Sequence, residues 1–128
     1  MIQQEILDFW IEKAEQDLAS ARDNQAAGRL QNAVRDAYFA CFHIASAMLL
    51  KDGKTFRKHK EVRSILHRDY IRTNKIAVES GKHYDWLFDN RQKADYRPLV
   101  IFDREQVREI IEQSGLFIAE MKTQIERQ

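Results

Sequence analysis

One apolar run limits what this chain can fold into: Ala37-Tyr38-Phe39-Ala40-Cys41-Phe42-His43-Ile44-Ala45-Ser46-Ala47-Met48-Leu49-Leu50. His43 and Ser46 are its clear polar interruptions. Apolar residues fall on every side of a helical wheel, which describes a helix enclosed by other helices. Strand alternation is absent, and the run is too long and too rich in alanine for a buried strand. At about fourteen residues it is also short of the roughly twenty needed to cross a bilayer. Ala37, Ala40, Cys41, Ala45 and Ala47 let neighbouring backbones approach. Tyr38, Phe39 and Phe42 supply most of the buried area, at roughly 25 cal/mol per Å².

The remaining segments supply the surrounding helices. Leu7, Trp10, Ile11, Ala14, Leu18 and Ala21 recur at three and four residues, predicting a helix from Gln4 to Asn24 with Asp17 among the residues off the stripe. Gly28 suits the turn that follows, and so short a connection implies an antiparallel neighbour. The core helix is expected over Arg29–Lys51, ending at Gly53. A third helix is expected over His59–Arg72, and Ser80-Gly81 reads as a break before a fourth over Lys82–Tyr96. There Tyr84, Leu87, Phe88, Arg91 and Asp95 share one face, while Trp86 points toward another surface or a second subunit. Pro98 stops that helix, and Leu99–Phe102 is an apolar connector. Asp103 caps a fifth helix, with Gln106 three residues on; Gly115 inside it implies a close helix contact. The expected fold is all-α, an antiparallel up-and-down bundle of four to five helices forming one domain over residues 1–128.

The chain is 44% hydrophobic and 32% charged, with one proline and four glycines. That is the balance of an ordered, water-soluble protein rather than a disordered or turn-rich all-β one. Cys41 is the single cysteine, so no internal disulfide can form. The start, Met1-Ile2-Gln3-Gln4-Glu5, lacks a signal-peptide pattern, and a cytoplasmic location is expected. The net charge of +1 conceals a segregation. Residues 51–82 hold ten Lys/Arg against four Asp/Glu, whereas the flanking blocks are net acidic. Such a basic segment can attract phosphates, or can simply be a solvated helix with its loops. Few aromatics interleave with these charges in sequence, which gives base stacking little support there.

Glycine-rich phosphate loops, nucleophile elbows and zinc-spaced Cys/His pairs are absent. His59 and His67 are eight apart, a poor spacing for a shared metal, so neither a metal nor a cofactor is expected. His43 reads as a hydrogen-bonded core histidine, with a place beside Arg91 as the alternative. The most informative polar run is Asn90-Arg91-Gln92-Lys93-Ala94-Asp95-Tyr96. Arg91 and Asp95, four apart, could form a surface ion pair worth a few tenths of a kcal/mol. Both fall on the apolar face, however, where an unpaired guanidinium is costly. A planar donor fork on a rigid helix is suited to a phosphate.

Phe9-Trp10-Ile11-Glu12-Lys13-Ala14-Glu15-Gln16-Asp17-Leu18, Ala37-Tyr38-Phe39-Ala40-Cys41-Phe42-His43, His59 and Arg91-Gln92-Lys93-Ala94-Asp95-Tyr96-Arg97-Pro98 together resemble the HEPN domain (higher eukaryotes and prokaryotes nucleotide-binding). The likeness extends from about Phe9 to Met121. It implies an all-α bundle, a homodimer, and frequent association with a minimal nucleotidyltransferase in toxin–antitoxin or defence systems. Many members are metal-independent ribonucleases that use an arginine followed four to six residues later by histidine. Arg91 matches the arginine; Tyr96 or Arg97 stands where the histidine is expected, and no histidine follows.

Three functions follow. The first is a homodimeric module that binds RNA or nucleotide phosphate through Arg91, Lys93, Arg97, His43, Lys58, His59 and Lys60, with a nucleotidyltransferase partner and no membrane. The missing histidine favours this non-catalytic reading. The second is a ribonuclease toxin in which Arg91 stabilises charge and Tyr96, Asp95 or His43 replaces the histidine; tyrosine, with a pKa near 10, is a poor base at pH 7. The third is a structural interaction module in which Arg91 and Asp95 only tie helices together.

Overall fold

Five α-helices account for most of the computed structural model, which describes the backbone of residues 2–96 and 101–127 and the side chains of residues 3–91 and 101–127. They are α1 (Ile2–Ala26), α2 (Leu30–Lys51), α3 (His59–Ile65), α4 (Val78–Tyr96) and α5 (Arg104–Glu126), with a π-helical turn, Leu66–Ile71, continuing α3. The fold is all-α as expected, and the described residues contain no strand.

The apolar run forms the centre. From Ala37 to Leu49 every α2 residue is buried except Phe39, which is half-buried. α2 packs on α1, α4 and α5. It is long and apolar enough to pass for a membrane span, yet 78% of that stretch is buried within the bundle. The enclosing helices account for its composition. Its two polar interruptions are satisfied internally. Ser46 Oγ donates to the Phe42 carbonyl at 2.7 Å, and His43 Nδ1 lies 2.5 Å from Asp17 Oδ2.

Chain direction follows from contacts at the helix ends. Gln3 Nε2 donates to the Leu50 carbonyl, so α1 and α2 are antiparallel. Lys51 Nζ donates to the Gln124 carbonyl, so α2 and α5 run the same way. His83 meets Ser114 and Ser80 meets Glu120, so α4 opposes α5. The loop over residues 52–58 climbs back along α2. It sets His59 beside Tyr38 and Phe42, after which the chain descends again until the Tyr70 hydroxyl donates to Asp52. Climbing from Lys51 to the level of Phe42 takes about 14 Å, well inside the reach of seven extended residues. That return brings the basic segment to the middle of the core helix.

Several local expectations hold. Gly28 and Gly53 have φ of 79° and 73°, the left-handed turn that follows a helix. Asp103 caps α5 by accepting the Gln106 amide at 2.7 Å. Phe102 is buried and packs edge-on against Trp86, which is therefore used within the chain. Ser80-Gly81, read as a break, lies inside α4, which begins at Val78. A Cβ at Gly81 would stand 2.3 Å from Ile71 Cδ1 and 3.1 Å from His67 Cε1. The glycine is thus a point of close approach to the π-helical turn, not a helix stop. Gly115, expected at a tight contact, has room: its added Cβ would meet Leu18 Cδ2 at an ordinary 3.7 Å. Asp17 also departs from expectation. It lies on the inward flank of α1, about two helical turns from Trp10, and is partly buried against His43. The expectations for Pro98, Leu99 and Val100 lie outside the described residues.

Candidate functional site

Arg91 lies on the same face of α4 as Tyr84, Leu87 and Phe88, all three buried. Helical spacing carries it to the edge of the core, where it is half-buried. Its guanidinium carbon sits 5.0 Å from the centroid of the Tyr38 ring and 5.4 Å from that of Phe39. Both distances are within the range of cation–π attraction, about 0.5–2 kcal/mol per contact.

The platform beneath it is aromatic throughout. Tyr38 is fully buried and packs on Phe39, Phe42, Tyr84 and Phe88 at centroid distances of 5.2, 6.0, 6.0 and 6.2 Å. Two further arginines rest on its margins. Arg63 of α3 lies 4.3 Å above the Phe88 ring, with one N–H directed at Asp89 at 3.5 Å, and Arg35 of α2 is 6.0 Å from Phe39. Sequence neighbours therefore understate the stacking surface: the fold, not the local sequence, places aromatics among the cations.

His59 occupies the opposite edge. Its ring stacks on Phe42 at 4.0 Å, and its Nδ1 lies 3.1 Å from the Tyr38 hydroxyl. Burial, then the charge of Arg91, then His43 push its pKa below the usual 6.5. His43 is 8% exposed. It is sandwiched by Trp10 (5.1 Å) and Phe39 (5.9 Å), with Asp17 on Nδ1. Burial lowers its pKa more than Asp17 raises it. His43 thus supports the site from behind as a core histidine. Lys58 and Lys60, both exposed, flank His59 in the chain. Lys93, Asp95 and Tyr96 continue α4, but their side chains, and all of Arg97, lie outside the described residues. Among the described residues no cluster of His, Cys, Asp or Glu could hold a metal ion.

The arrangement is an arginine fork and a neutral imidazole set into one aromatic platform, bordered by further cations. The HEPN domain model matches residues 7–124. The chain belongs to the HEPN domain family. Among its relatives is a UPF0332 protein of Thermotoga maritima, 33% identical over 96% of this chain and 93% of the relative. Two proteins of Methanocaldococcus jannaschii, each named "putative toxin", are 26% and 29% identical. These alignments cover 91% and 88% of this chain, and 79% and 83% of theirs. The crystal structure of an archaeal HEPN homologue superimposes with a TM-score of 0.74 at 19% identity, covering 94% of this chain and 98% of that one, and confirms the fold.

In this HEPN chain three participants escaped the sequence reading. Arg63 is one of the ten basic residues of the 51–82 block, and Arg35, early in the core helix, carries no signal of its own in the sequence. Asp17 had a legible signal: it is seven residues from Trp10 and three from Ala14, which is the inward face.

Proposed function

We propose that this chain is a toxin-like HEPN module that binds RNA, or the phosphates of a nucleotide, at the Arg91 cluster. The observation that carries this reading is the Arg91 guanidinium lying on Tyr38 and Phe39. Stacking restricts the fork before any ligand arrives, which reduces the ordering cost of binding a phosphate. Arg35, Arg63, Lys58 and Lys60 extend the positive field around it. Phe39 and His59 are each partly exposed, which leaves aromatic surface beside the guanidinium for a base. The names of the two archaeal relatives support the toxin-like assignment. Exposed Ile6 and Phe9, beside Trp10 on α1, support a homodimer. A minimal nucleotidyltransferase partner is what the family resemblance implies, and a cytoplasmic setting is part of the same proposal.

The test is fluorescence anisotropy with a short single-stranded RNA across a salt series. Binding should weaken linearly in log–log form as salt rises. Arg91→Ala should weaken it about 10–100-fold, the range of a lost charge-assisted contact, and Arg91→Lys should fall between. Salt-independent binding that ignores Arg91→Ala would overturn the reading. Light scattering should show twice the 15.2 kDa chain mass.

A further inference from the structure

We infer that the pocket between α1 and the 52–58 loop takes one unstacked base of the RNA strand whose phosphate lies on Arg91. This rests on the reading of Arg91 as an RNA-phosphate site. It adds a second point of contact farther along the same strand.

The pocket holds about 220 Å³ and is lined by Ile6 and Trp10 of α1, Ser46 and Leu50 of α2, and Lys54, Thr55 and Phe56 of the loop. An apolar cavity of about 150 Å³ accommodates benzene, so this one accommodates a single nucleobase but not a helix or a strand. None of its lining residues is acidic, so a cationic side chain would find no counter-charge there. Lys54 is itself committed to Asp69, its Nζ 3.0 Å from Oδ2. A flat, neutral ring suits the two aromatic walls. Ser46 Oγ gives its proton to the Phe42 carbonyl at 2.7 Å, so it can offer the edge of a base only an acceptor.

The pocket is continuous with the Arg91 platform. Phe39, His43, Ser46 and Leu50 fall within about 60° of one another on the α2 wheel and form one stripe. Arg91 lies over Phe39 at one end of it, at 5.4 Å. Trp10 covers its middle by stacking on His43 at 5.1 Å, and Ser46 and Leu50 end it in the pocket. His43 also stacks on Phe39 at 5.9 Å, so rings follow one another from the guanidinium to the pocket. Phe39 and Ser46 are seven residues apart, about 10 Å along the helix, which is the span of about three stacked nucleotides. The loop borders this path. Phe56 packs edge-on against Phe42 at 6.0 Å, and the exposed Arg57 and Lys58 follow it toward His59. A strand running from Arg91 to the pocket thus has cations beside its phosphates and rings beside its bases.

The experiment is fluorescence anisotropy of labelled RNA tetranucleotides on the full chain, each strand intact or abasic at one end or the other. Removing a base leaves every phosphate in place, so the electrostatic contribution is held constant. At least one abasic strand should bind the wild type about 5–50-fold more weakly than the intact strand, the range of one stacked base. Phe56→Leu removes the ring but keeps an apolar side chain, and Thr55→Trp sets an indole across the pocket from an exposed position. Each should weaken the intact strand by a similar factor and leave the salt slope unchanged, because no cation is lost. In both variants the abasic penalty should disappear. Abasic strands that bind the wild type as the intact one does, or a penalty that persists in the variants, overturn the inference. A fall in particle mass on Thr55→Trp, seen by light scattering, also overturns it, since a side chain of a second copy would then fill the pocket. RNA that does not bind the wild type at all overturns the Arg91 reading, and this inference with it. Should Phe56→Leu not fold, Thr55→Trp decides.

Discussion

Asp17 of α1 and His43 of α2 meet at 2.5 Å beneath the ring of Trp10, joining the two longest-packed helices just behind the Arg91 platform. The contact links stability to the site, because His43 also stacks on Phe39, one of the two rings that carry Arg91.

Asp17→Ala should therefore destabilise the fold by about 1–3 kcal/mol, the cost of leaving a buried imidazole nitrogen without its partner. Urea unfolding with an unchanged m-value would check it. RNA affinity should fall less than in Arg91→Ala, because the guanidinium and both rings remain. An unchanged midpoint would show that the pair contributes nothing to stability.

Acid should unfold this protein earlier than its carboxylates alone require. His83 is mostly buried, its Nε2 lies 2.9 Å from Ser114 Oγ, and burial pushes its pKa from 6.5 down to about 4. The unfolded chain takes up a proton near pH 6.5 that the folded chain refuses until about pH 4. Stability is thus complete above 6.5 and declines as pH falls through that window, by about 3 kcal/mol at most. His43 and His59 shift in the same direction and add to the slope. Melting temperature against pH checks this, and His83→Gln should flatten the curve.

The large features were legible because they depend on periodicity alone. A helix apolar on all faces must be enclosed, so the burial of Ala37–Leu49 followed from the residues. Caps such as Asp103 depend on neighbours three residues away and were equally visible. Gly81 was misread because its reason, the Ile71 side chain, belongs to another element. The link between His59 and Arg91 was hidden for the same cause. It depends on a loop that doubles back along α2, and no sequence interval reports where a loop lands. Asp17 lay between these cases, with its spacing visible and its partner not.

Two glycines should respond oppositely to alanine. Gly115→Ala has room and should stabilise by about 0.5–1 kcal/mol, through helix propensity and a less flexible unfolded chain. Gly81→Ala drives a methyl into Ile71 Cδ1 and should lose about 1–3 kcal/mol to overpacking. Ile71→Val removes the offending carbon. The double variant should be more stable than the sum of the single changes implies, by about 1 kcal/mol or more in a double-mutant cycle. Strict additivity would mean that Ile71 is not what excludes a side chain from position 81.

Cys41 sits beside Ser114, and Ser114 beside His83, a grouping that resembles nucleophilic machinery. The chemistry is the reverse. Cys41 is fully buried, and burial pushes its thiol up to about 12, while His83 is held neutral and bonded to serine. At pH 8 about one thiol in ten thousand would ionise, and reagent cannot reach it. Iodoacetamide should therefore label the native protein only through opening of the bundle, and label the denatured chain at the rate of a free thiol. When opening equilibrates faster than labelling, the native rate measures stability. Gly115→Ala should slow it about 2–5-fold and Gly81→Ala accelerate it, each in proportion to its free-energy change. Native labelling as fast as in denaturant would show that the thiol is accessible and the cluster reactive.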